Sequence, residues 1–240
     1  MSDWAPKRFW KETATTATDS GFGILLDGRP VRTPAKAMLD VPSKALADRI
    51  AAEFDAQDGA INPMSMPFTR TANSAIDKVM VQHADVADML AEYGDSDLLC
   101  YRADAPDELV ARQAEHWDPL LDWAAQNLNA PLEPRIGVIH RPQDPRSLAN
   151  LRSRVHEMSA FELAAFHDLV SLSGSLVIGF AVKRGERPVQ DLWAISRLDE
   201  IWQEEQWGAD EEAREMAEIK KAAFFHADAF MRLINEQSTP

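Results

Sequence analysis

The chain nearly lacks cysteine and is short of basic side chains: Lys plus Arg number 25 against 39 Asp plus Glu, a formal net charge of -14. The lone Cys100 excludes an internal disulfide framework and any zinc site built from several cysteines, as suits a reducing compartment. The acidic balance opposes general attraction to nucleic-acid phosphates or anionic lipid, so nucleic acid is not an expected partner. Long apolar runs are also missing. The longest, SLVIGFAV from Ser175 to Val182, falls short of the ~20 residues that cross a bilayer, and no membrane insertion is expected. The opening MSDWAPKRFW has neither the basic start and apolar run of a secretory signal nor the acid-free Arg/Ser stretch of a transit peptide. The expected location is a bacterial-type cytoplasm or a processed organelle interior.

Motifs for chemistry are equally scarce. His83, His116, His140, His156, His167 and His226 make no HxxxH or HExxH pattern, so zinc has nothing to hold it. There is no GxSxG, GxxxxGK[ST] or GxGxxG, and the GFG at Gly21 to Gly23 reads as a turn before a strand. No histidine lies near Cys100, which sits in an apolar LLCY run and reads as a buried, inert thiol. Asp95 and Asp97 read as turn or helix caps. No metal, cofactor or catalytic residue is expected.

What is present is enough apolar content, 45%, for a substantial core. Phe22, Ile24 and Leu26 alternate with small or intervening residues, and Asp27-Gly28 supplies the pair that a tight hairpin needs, predicting a return strand over Arg29 to Thr33. Ala37 to Val41 reads as a further short strand. From Ser43, a good N-cap, the period changes to that of helices, with Leu46, Ile50 and Phe54 four residues apart. Helices are expected over Thr69 to Gln82, Ala84 to Tyr93, from Pro106 toward Asn129, and then at Arg146 to Met158, Ser159 to Val170, Ser175 to Lys183, Pro188 to Trp207 and Asp210 to Ile234. The proline-rich stretch Pro131 to Pro145 reads as a loop. The fold class is α+β: a small antiparallel β-rich N-terminal domain with one helix, residues 1–62, then a larger multi-helical domain, residues 63–240, ending in a polar tail from Asn235.

The segment LDEIWQEEQWGADEEA, Leu198 to Ala213, carries seven acids, two tryptophans and a glycine. On a single helix over Pro188 to Trp207, Leu192, Ile195, Leu198, Ile201 and Trp202 form a core-facing stripe. Trp193, Glu200 and Trp207, seven apart, form a second column with a carboxylate between two indoles, flanked by Ser196, Gln203 and Glu204. The acids point in different directions around one helix, which does not suit a metal ion. Large aromatics opposite the main stripe need a second neighbour, either the chain's own core or another protein.

Six blocks together give a resemblance: LDGRPVRTP at Leu26 to Pro34, EFDAQ at Glu53 to Gln57, MPFTRTANSAID at Met66 to Asp77, DLLCYRA at Asp97 to Ala103, WDPLLDWA at Trp117 to Ala124 and LDEIWQEEQWG at Leu198 to Gly208. In this order they resemble the F1-ATP synthase assembly chaperones that act on the alpha subunit, with Phe54 where a tryptophan is expected. The resemblance implies a chaperone without catalytic activity that binds the free F1 alpha subunit, prevents its aggregation and yields it to the beta subunit, with no ATP requirement. It also implies that the family's sensitive glutamate falls on Glu200. The expected client-binding residues are Glu200, Trp193, Trp207, Gln203 and Glu204. Two other readings remain open: a small hydrolase or isomerase using Asp95, Asp97, Glu200 or His116 as acid and base, and a stable subunit of an assembly.

Overall fold

The structure, a computed structural model, describes residues 7–208 and 210–236, so the end of the polar tail lies outside the described residues. Packing divides them into two compact units: the described residues of Met1–His83, Ser159–Ala165 and Ala229–Pro240 form one, and Ala84–Met158 with Phe166–Asp228 the other.

In the first unit, β1 (Thr13–Thr18) and β2 (Gly21–Leu26) run antiparallel, with Thr13 opposite Leu26 and Thr18 opposite Gly21. β3 (Arg29–Pro30) pairs with the end of β2, and β4 (Asp40–Val41) with its beginning. Asp27 and Gly28 both take positive φ, 47° and 75°, the conformation that closes a two-residue hairpin. The return strand is shorter than the alternation predicts. Past Pro30 the Val31 N–H still donates to the Ile24 carbonyl at 2.9 Å, but the Val31 carbonyl accepts from Leu39 N–H and Arg32 bridges Met38, so the chain pairs there with its own next turn. β1, TATTAT, has no large apolar residue to announce it; its signal is the β-branched threonine, which suits a pleated surface.

Below the sheet, α1 (Lys44–Asp55) starts at Ser43, whose hydroxyl accepts from the Leu46 N–H, and buries Leu46, Ile50 and Phe54. Glu53 is buried on the same helix and accepts from the N–H groups of Phe68 and Thr69 and from the Thr69 hydroxyl, at 2.7–2.8 Å. It therefore caps α2 (Pro67–Ser74), whose own N-cap, Met66, offers no side-chain acceptor. Gln57 donates to the Glu53 carbonyl and Ser65 hydroxyl and accepts from Asn62 N–H. Past α2 the helix widens into a π turn over Ala75–Val79. Asp77 on that turn accepts from the Thr33 hydroxyl and Ala35 N–H. Three of the six blocks, carrying Thr33, Glu53 and Asp77, thus interlock as one hydrogen-bonded clamp.

The remaining elements are α3 (His83–Ala91), α4 (Asp107–Leu128), α5 (Pro145–His156), α6 (Ala160–Ser173), α7 (Leu176–Arg184), α8 (Val189–Ser196), α9 (Leu198–Trp207) and α10 (Glu211–Asn235), with a parallel pair, β5 (Tyr101–Arg102) and β6 (Arg135–Ile136). The fold is the expected α+β arrangement of a small antiparallel sheet followed by helices. The capping box at α6 forms as expected, with Ser159 N–H donating to Glu162 and Glu162 N–H to the Ser159 hydroxyl. Pro119 lies inside α4, which runs through it to Leu128. Among the described residues no helix is long and apolar enough to cross a membrane.

α7 anchors the core of the second unit, burying every residue from Leu176 to Val182. Gly179 permits this packing: a Cβ there would lie 2.8 Å from Val170 Cγ2 and 3.0 Å from Phe166 Cε2. Gly179→Ala is expected to destabilise the protein by about 1–3 kcal/mol through overpacking, read as a lowered urea midpoint at unchanged slope.

Candidate functional site

Where the sequence predicts one helix from Pro188 to Trp207, the chain forms two, α8 and α9, parted at Arg197 (φ -107°, ψ 15°). The break has identifiable causes. The Ser196 hydroxyl donates back to the Trp193 carbonyl at 2.7 Å, and the buried Trp117 indole N–H donates to the Ile195 carbonyl at 3.0 Å. In an unbroken helix that carbonyl would serve the N–H of residue 199. The column of Trp193, Glu200 and Trp207 therefore does not exist as a column, since a seven-residue spacing aligns side chains only along a continuous helix.

The three residues part company in environment. Trp193 is 7% exposed and lies against Phe224, ring centroids 5.3 Å apart. Trp207 is 78% exposed. Glu200 lies between these extremes, its side chain 46% exposed and paired with Arg197 at 2.8 Å. Arg197 also lies over the Trp193 ring, 5.9 Å from its centroid, so the guanidinium is shared between a buried indole and a half-exposed carboxylate. Arg197 is a site residue absent from the expected set, and its i, i+3 spacing to Glu200 is the signal in the sequence that finds it.

α9 is fastened to α4 by one side. The Gln113 amide donates to Asp199 at 2.7 Å, Arg112 grips both oxygens of Glu205 at 2.5 and 2.9 Å, and its guanidinium lies 5.9 Å from the Trp202 ring centroid. The fork holds the Glu205 carboxyl below its usual range. Arg102, on β5, completes the framework by lying over Trp117 and pairing with Asp118. Arg102 of DLLCYRA thus locks onto Trp117 and Asp118 of WDPLLDWA, and LDEIWQEEQWG is held to α4 by Arg112 and Gln113, just ahead of that block. Asp199, Trp202 and Glu205 are spent in that lock, whereas Gln203 and Trp207 are exposed, Glu204 is half-buried, and the side chains of Gln203 and Glu204 bond to no other described residue.

The acid and base candidates are not assembled into a site. Asp95 faces His140 and the Gln143 N–H. Asp97 is fully buried as the acceptor for Leu99 and Val177 N–H groups, and Glu200 faces Arg197. Cys100 is buried, with its thiol pushed up to about 12 by burial and by Asp97, far from the range of a nucleophilic thiolate. Among the described residues no group of three or more His, Cys, Asp or Glu could hold a metal ion.

The sequence profile of the ATP12 chaperone protein family matches residues 7–125. Protein atp12, mitochondrial, of Schizosaccharomyces pombe is 28% identical over 222 residues, covering 88% of this chain and 76% of that protein. The crystal structure of Atp12 from Paracoccus denitrificans superposes with a TM-score of 0.93 at 50% identity, covering 95% of this chain and 98% of the other. A mutant of P. denitrificans Atp12p gives 0.94 at 49% identity, covering 97% and 100%. The chain belongs to the ATP12 chaperone family.

Proposed function

We propose that the chain binds the unassembled alpha subunit of F1-ATP synthase through the open side of α9 and gives it up when the beta subunit arrives. The observation that carries this reading is the division of labour within LDEIWQEEQWG. Asp199, Trp202 and Glu205 hold the helix to α4, which leaves Glu200, Gln203, Glu204 and Trp207 without a comparable task. An exposed indole beside carboxylates is the composition of a protein-binding surface, an aromatic anchor with a charged rim. Trp193 supports this surface from beneath, through Arg197. Association driven by such a surface needs neither metal nor ATP. The compartment is the one in which F1 assembles, the cytoplasm of a bacterium or its mitochondrial equivalent.

Glu200→Lys would set a cation beside Arg197 and reverse the charge offered to the client. Loss of capture is expected to be about 2 kcal/mol, with the melting temperature nearly unchanged because the pair is half-exposed. Light scattering of aggregating alpha subunit measures it: protection should fall for Glu200→Lys and largely persist for Glu200→Gln. Equal protection by wild type and Glu200→Lys would remove Glu200 from the surface.

A further inference from the structure

α10 begins unlike a packed helix. Over Glu211 to Lys221 no side chain is buried, and the first to be buried is Phe224. A helical stretch of eleven residues with no buried side chain is marginal in water by itself; here it continues into the packed part of the same helix, which runs to Asn235, and local devices add to that support. Asp210 caps it through the N–H groups of Glu212 and Ala213 at 2.9 and 3.2 Å, and Glu218 pairs with Lys221 at 3.2 Å. Met216 and Ile219, 49% and 57% exposed, share one helix face by their i, i+3 spacing. Nine residues before Met216 in sequence stands Trp207, 78% exposed. From Leu198 to Ile219 the chain has nine carboxylates and one basic residue, Arg214.

We infer that the first three turns of α10 extend the α9 surface into a docking arm for a cationic amphipathic segment of the client, Met216, Ile219 and Trp207 taking its apolar side and the surrounding carboxylates its Lys and Arg residues. The inference rests on the chaperone reading above and names the chemistry of the segment that is held. Charge complementarity selects this occupant. A second copy would bring an equally acidic arm against the first, and nucleic acid or anionic lipid would meet the same repulsion. A cationic amphipathic helix laid against an apolar helix face with an acidic rim satisfies both parts of the surface.

The test uses the full chain and free F1 alpha subunit. Hydrogen exchange at Glu211 to Lys221 is expected to slow about tenfold or more on complex formation. The double substitution Met216→Ser with Ile219→Ser is expected to weaken capture by about tenfold, while the melting temperature holds because neither side chain is buried. Added salt should weaken capture by wild type. Unchanged exchange in the arm, or wild-type capture by the double variant, would overturn the arm while leaving the chaperone reading intact if Glu200→Lys still fails. Protection of the arm by a second copy alone, seen as concentration-dependent dimers in sedimentation, would overturn the stated occupant. Failure of wild type to hold alpha subunit at all would overturn the chaperone reading itself.

Discussion

Trp117→Ala is expected to lower stability by about 3–5 kcal/mol and to weaken client capture with it. Trp117 is fully buried, and three separate losses follow its truncation. The cavity left in the core of the second unit is the largest. The Ile195 carbonyl loses its indole donor, and Arg102 loses the ring beneath it while keeping Asp118. Trp117→Phe separates these terms. It retains most of the volume but leaves the Ile195 carbonyl without the donor, a cost of about 1–3 kcal/mol. Because that donor stabilises the break between α8 and α9, the phenylalanine variant should also lose capture beyond what its reduced stability explains. Urea unfolding of both variants, compared with capture at temperatures where each is folded, measures the two effects. A fully stable Trp117→Phe protein with wild-type capture would show that the break does not depend on the indole.

Asp97 carries the second large effect. Its carboxyl is wholly buried, accepts from Val177 N–H at 3.0 Å and Leu99 N–H at 3.0 Å, and also receives the Ser175 hydroxyl and Leu176 N–H. Asp97→Ala would orphan several of these donors at once, and a loss of roughly 3–5 kcal/mol at neutral pH is expected. The group also imposes a pH dependence. Burial, outweighing the bonds it accepts, pushes the carboxyl up to about 6 from an ordinary 3.8. Because the folded-state value is the higher one, the contribution to stability is fully present below pH ~3.8 and is lost as the pH rises through about 6, roughly 3 kcal/mol in all. Relative to Asp97→Asn, which cannot titrate, the wild type should therefore gain about 3 kcal/mol between about pH 7 and pH 4. A difference that stays constant across that window would contradict this.

The parts of the fold that were legible in the sequence are those set by local chemistry. The Asp27-Gly28 hairpin, the Ser43 and Asp210 caps and the Ser159–Glu162 capping box each depend on residues a few positions apart, and each forms. The features not legible are set by distant residues. Nothing between Pro188 and Trp207 reveals that Trp117 donates to the Ile195 carbonyl, so the periodicity alone reads as one helix and aligns Trp193 with Trp207. Nothing near Glu53 in sequence shows that it caps α2, whose first N–H groups reach it from Phe68 and Thr69, fifteen and sixteen residues on. β1 carries no apolar alternation because its half-buried positions, Thr13, Thr15 and Thr18, are threonines and not large apolar residues. The family blocks were visible as strings, but their physical meaning was not. Thr33 with Asp77, Glu53 with Phe68 and Thr69, and Arg102 with Trp117 and Asp118 hold one block to another, and the last block leaves Trp207 and Gln203 facing water beside Glu200 and Glu204.

Photo-cross-linking places the client most directly. With Trp207 replaced by p-benzoylphenylalanine, irradiation in the presence of free F1 alpha subunit should give a covalent adduct that is lost when beta subunit is added first, whereas the same substitution at the exposed Glu157 should give none. Efficient cross-linking from position 157 with none from position 207 would contradict a client surface on α9.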